Sequence, residues 1–164
     1  MRVAFWIIVV TLIYVIQCSV IPLVTLNGIK PDLLLIVVLS TGLLAGKERG
    51  VAVGFFAGML ADLASGGIFG CHTLVNMVIG YGAGMLERKV FKENILLPLL
   101  AVMIATVIYS FLMTAFLVIM GYNINLFSLL NYNLLPLLAY NIIMAIPIHR
   151  IIYKLNYAKM YHNE

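Results

Sequence analysis

Charge is the scarcest property of this 164-residue chain. Only 10% of its residues are Asp, Glu, Lys or Arg, against about 25% in soluble domains. That shortage excludes a soluble domain of this size, because 64% of the residues are hydrophobic and a water-facing surface cannot be built from the rest. Cysteine is nearly absent. Cys18 and Cys71 give neither a disulfide framework nor a zinc spacing. There is no HExxH, no Gly-x-Ser-x-Gly and no P-loop. The isolated serines and histidines make no triad. Metal, cofactor and nucleotide chemistry therefore have no footing, and no enzyme is expected.

Long apolar runs are what the chain does have, with a mean hydropathy of +1.12. They indicate an integral membrane protein, a single domain over residues 1–164. A helix needs about 20 apolar residues to cross a hydrocarbon core of about 30 Å. Residues 3–21 are uncharged and end at Pro22. With no small-x-small cleavage site after it, this run reads as a retained first helix rather than a signal peptide. A second helix starts after Lys30-Pro31-Asp32 and runs to about residue 46. Proline suits a first turn, and Asp32 can accept the free N–H groups there. Its apolar part is short, which fits either a helix with little tilt or one partly buried by neighbours. The 37 residues from 50 to 86 are too many for one span. Ser65-Gly66-Gly67 divides them into helices of about 50–64 and 68–86. Helices over about 95–120 and 134–153 follow, and residues 125–133 are expected along the interface.

Six spans sort the basic residues. Arg2, Lys47, Arg49, Arg88, Lys89, Lys92, Arg150, Lys154 and Lys159 fall on one side and Lys30 alone on the other. The net charge of +4 is thus a topology signal and not a nucleic-acid patch. The positive-inside rule places both termini in the cytoplasm.

One stretch, GFFAGMLADLASGG from Gly54 to Gly67, carries Asp62 with no lysine or arginine within ten residues. Gly50, Gly54, Gly58 and Asp62 recur every four residues and share one helix face. The steps continue through Gly66 and Gly70. Small residues let helices approach closely in lipid, so this face serves either internal packing or a helix from a partner. Asp62 lies about 18 Å along its helix, in the outer third. Its partner is expected among the N–H groups of the Ser65–Gly70 turn, His72 or Asn76. It acts either as a clasp between two helices or in proton, ligand or partner recognition. Asn141 is expected to bond across helices, Pro147 to kink the last helix, and His149 and Arg150 to snorkel at the interface.

Two other functions compete with a purely structural role. Asp32 and Asp62 both fall near the outer face and could form an aspartic dyad. Lipoprotein signal peptidases use such a pair, but their asparagine- and aspartate-containing motifs are absent, and they have four spans. A small-molecule carrier would need more polar groups to read a ligand, and the repeats of secondary transporters are missing.

GFFAGMLADLASGGIFG, with Gly54, Phe55, Gly58, Asp62, Ser65, Gly66 and Gly70, resembles the core signature of the bacterial rod shape-determining MreD family. Lys30-Pro31-Asp32-Leu33-Leu34-Leu35 resembles the start of that family's second helix, and Asn141 and Pro147 its last helix. The resemblance covers essentially the whole chain. It implies a non-enzymatic subunit of the cell-elongation machinery in the cell membrane, in contact with membrane lipids. Its implied partners are the single-span MreC protein, MreB filaments reached indirectly, and the RodA glycosyltransferase with its transpeptidase. The family is also similar in fold to the substrate-binding subunits of energy-coupling-factor transporters, which keeps substrate capture for a vitamin-type transporter as the alternative.

Overall fold

A computed structural model describes residues 2–19, 30–66, 69–86, 96–123 and 134–160. Among them the fold is all-α: α1 (Arg2–Ser19), α2 (Leu33–Ala45), α3 (Lys47–Ser65), α4 (Cys71–Met85), α5 (Leu96–Ile119) and α6 (Leu135–Met160). The end of the first helix at Pro22, the charged cluster at 87–93 and the segment 125–133 lie outside the described residues.

The centre of the bundle is α2. It has 13 residues, about 20 Å of helix, and residues 33–44 are all buried. Its sequence is apolar all round, which is the pattern of a helix enclosed on every side. Leu35, Ile36, Leu39 and Leu43 pack with Val75, Ile79, Val102 and Ala145 from α4, α5 and α6. Leu34, Val37, Val38 and Leu44 pack with Val10, Val53, Ala57 and Ile152 from α1, α3 and α6. Among the described residues two helices, Leu96–Ile119 and Leu135–Leu155, are long and apolar enough to cross a membrane. Every helix except α2 exposes large apolar side chains, among them Leu12, Phe55, Val78, Phe111 and Ile143.

Only Gly46 separates α2 from α3. At φ 87° it makes a turn that a Cβ would strain. Lys47-Glu48-Arg49, which falls between the helices expected to about 46 and from about 50, is the first turn of α3. The reversal needs a single residue, so the charged triplet can continue directly into helix.

From there α3 runs antiparallel to α4 at close range. A Cβ on Gly50 would collide with the Gly80 carbonyl, one on Gly54 would lie 2.5 Å from the Asn76 carbonyl oxygen, and one on Gly58 would collide with the Thr73 backbone. On the other side, a Cβ on Gly42 of α2 would lie 2.8 Å from both Ala83 Cβ and the Gly80 oxygen, and Gly80 also meets Val38. These contacts set α2 and α4 parallel. Asp32 opposite Asn141 and Ser40 opposite His149 set α6 parallel to both.

Candidate functional site

Many of the buried polar groups gather in one layer, at the end where α2 and α4 begin. Each of the six helices contributes to it.

Asp32 precedes the first turn of α2, and its Oδ1 accepts the Leu35 N–H at 3.1 Å. The next donor, the Leu34 N–H, reaches Gln17 Oε1 on α1 at 3.1 Å. The Asp32 N–H itself donates to Asn141 Oδ1 on α6 at 2.9 Å. Asn141 Nδ2 in turn donates to Thr106 Oγ1 on α5 at 3.0 Å, and the Thr106 hydroxyl donates to the Val102 carbonyl at 2.8 Å. Asn141 and Thr106 are both fully buried. A buried amide without partners is costly, and here Asn141 serves α2 and α5 at once.

Asp62 does for α4 what Asp32 does for α2. It is 3% exposed. Oδ1 accepts the His72 N–H at 2.9 Å, while Oδ2 accepts the Thr73 N–H at 3.0 Å and the Thr73 hydroxyl at 2.5 Å. A carboxylate at a helix N-terminus satisfies orphan donors and meets the positive end of the helix dipole. The partner from His72 is therefore its backbone. The His72 imidazole points elsewhere: its Nδ1 is hydrogen-bonded to Tyr109 Oη on α5 at 2.6 Å. Asn76 does not meet Asp62.

Several expectations need correction. Gly66 and Gly70 do not extend the packing face of Gly50, Gly54 and Gly58. The helix ends at Ser65, and both glycines sit at positive φ, +61° and +101°, with nothing within 4 Å of a Cβ. They shape the turn that carries the chain from Asp62 back to Thr73. Pro147 lies inside α6, which continues through it to Met160. His149 turns inward, its Nδ1 hydrogen-bonded at 3.1 Å to Ser40 Oγ, a hydroxyl that is 1% exposed. That pair has no acidic third member on the described residues, so it ties α6 to α2 without forming a triad. No group of three His, Cys, Asp or Glu that could hold a metal occurs among the described residues.

Gln17, Thr73, Thr106 and Tyr109 belong to the layer but do not stand out in the sequence. Gln17 and Thr106 sit in apolar runs, Thr73 and Tyr109 beside another polar residue, and none of the four belongs to a motif. The one available signal was that Thr106 and Tyr109 lie three apart, on one side of α5.

A family model described as rod shape-determining protein MreD matches residues 1–158. The chain belongs to the MreD family. No protein of curated function and no solved structure matches it. Within the matched range, Gly50, Gly54 and Gly58 of α3 meet α4 closely, and Asp62 clasps its start. The MreD family is a shape-determining one, so the site is read as a structural centre.

Proposed function

We propose that this chain is a non-enzymatic membrane scaffold of the cell-elongation machinery. In this reading it maintains rod shape by coupling an MreC-like single-span protein, and through it MreB filaments, to peptidoglycan synthesis by a RodA-type glycosyltransferase and its transpeptidase. The single domain crosses the cell membrane six times with both termini in the cytoplasm. The observation that carries the reading is the family match over residues 1–158.

Three features support it. The helices that share a direction, α2, α4 and α6, alternate in the chain with α3, which runs the other way. The basic residues divide nine to one under that topology. Both candidate dyad carboxylates are engaged with backbone N–H groups, Asp32 at α2 and Asp62 at α4, which suits fixed structure rather than proton exchange with a substrate.

The test is a pull-down from native membranes in mild detergent, with partners identified by mass spectrometry. Recovery of a single-span coiled-coil protein together with a peptidoglycan synthase is expected. Recovery of paired ATPases with a membrane coupling subunit would move the assignment to transport.

A further inference from the structure

Toward its C-terminal end α6 carries charge at a level where the bundle is still closed around α2. The two helices run in register. Asp32 meets Asn141 and Ser40 meets His149, both at an offset of 109 residues. The same offset sets Arg150 level with Thr41, which is fully buried, and Lys154 level with Ala45, the last residue of α2. Arg150 therefore lies about 6 Å, one helical turn, inside the end of the central helix. His149 turns inward to Ser40. Arg150, about 100° further round α6, is left on the outside. It is exposed, as is Lys154.

Arg150 and Lys154 are four residues apart and share one face. Two like charges at that spacing repel, and a cation on the lipid-facing side of a bundle is costly. Neither has an ion-pair partner among the described residues. Asp32 and Asp62 are engaged in the polar layer at the other end, and Glu48 stands in the first turn of α3. Behind the two cations the same outer face is apolar. Ile143 is 63% exposed and Ile146 39%, and Pro147 is exposed between them and Arg150. The face is thus a strip of apolar side chains that ends in two cations without a described counter-charge.

We propose that this strip is a binding site for an anionic phospholipid. Its phosphate bridges the Arg150 guanidinium and the Lys154 ammonium, and one acyl chain lies along Pro147, Ile146 and Ile143. The order of groups matches the lipid, with the anion at the end of the strip and the hydrocarbon behind it. Arginine snorkels toward the interface to meet a phosphate. It can hold that phosphate through two N–H groups, while lysine adds a point charge. The phosphate also offsets the repulsion between the two cations. The site rests on the membrane topology given above, not on the partners.

The test titrates the purified full-length protein, in a mild neutral detergent, with phosphatidylglycerol and with phosphatidylcholine. Bound lipids are counted by native mass spectrometry. Phosphatidylglycerol is expected to bind more tightly, by about fivefold for each cation that meets it. Arg150→Gln and Lys154→Gln should each lose about that factor, and the double variant the whole preference. Lys30→Gln removes the same charge from an exposed position at the other end of the bundle and should leave the preference intact. Equal binding of the two lipids overturns the proposal. So does an equal loss from Lys30→Gln, which would mean that net charge alone attracts the lipid. Displacement of the lipid by inorganic phosphate at matched concentration overturns it too, since the acyl chain would then contribute nothing. The substituted side chains are all exposed, so circular dichroism should show the helix content unchanged. A C-terminal reporter found outside the cell would overturn the topology, and the lipid preference would still read the site on its own.

Discussion

Asp62 accepts three hydrogen bonds from one helix start, and each comes from a group that has no other described partner. Replacing it with leucine strands two backbone N–H groups and a hydroxyl in an apolar setting. The expected loss is about 3 kcal/mol or more, at about 1.5–3 kcal/mol for each bond to a charged acceptor. Asparagine keeps one carbonyl oxygen for Thr73 but turns an amide donor toward the His72 N–H. Asp62→Asn should therefore cost less than Asp62→Leu, and thermal unfolding of the two purified variants separates them. Equal losses would mean that the charge itself holds the turn. Thr73→Val removes only the hydroxyl bond and should cost about 1 kcal/mol in the same assay.

At the scale of the helix, glycines that look alike in the sequence divide into three kinds. Gly50, Gly54 and Gly58 are contact positions, Gly66 and Gly70 are turn positions, and Gly82 is neither. Gly58→Leu would push α3 off the Thr73 backbone. It should destabilise the hairpin by about 3 kcal/mol, the upper end for overpacking, and it should abolish rod shape in cells that depend on this chain. Gly82→Ala meets nothing within 4 Å and should be neutral or stabilising by up to about 1 kcal/mol from helix propensity. Similar unfolding midpoints for the two variants would refute the close-contact assignment. The period of four was legible because a helix face repeats at that interval. Where the face stopped was not, because Gly66 and Gly70 keep the period after the helix has ended and only backbone dihedrals distinguish them. Asp32 was legible as a helix start for a local reason: its first-turn acceptor role lies within three residues. The long-range ties from Gln17, Thr106 and Tyr109 had no local mark, since each depends on a partner at least 17 residues away.

Across the whole molecule, Asn141 is the residue on which the two halves of the bundle depend. It joins α2 to α5 and α6 through Asp32 and Thr106. Asn141→Leu leaves the Asp32 N–H without its acceptor, and double-mutant data for interhelical bonds in membranes average about 0.6 kcal/mol. Two such bonds predict a loss of about 1 kcal/mol, readable as a lower unfolding midpoint with the helix content unchanged. The proposed topology has its own readout: reporter fusions at both ends should report the cytoplasm, and a cysteine at Lys30 should react with an impermeant thiol reagent from outside.

The burial of α2 on all sides carries a consequence for how the protein is made. During synthesis α2 leaves the ribosome before α3, α4, α5 and α6, the helices that enclose it. The last of these begins about 90 residues later. At about 5–20 residues per second, that interval lasts roughly 5 to 20 s. For that time the shortest helix of the bundle, with its Ser40 and Thr41 hydroxyls and its Asp32 cap, has no permanent walls. Its safe passage depends on the insertion machinery or on α1, whose Gln17 is already in place to hold the Leu34 N–H. Translation speed through residues 46–135 should therefore set the yield of this protein more strongly than its final stability does.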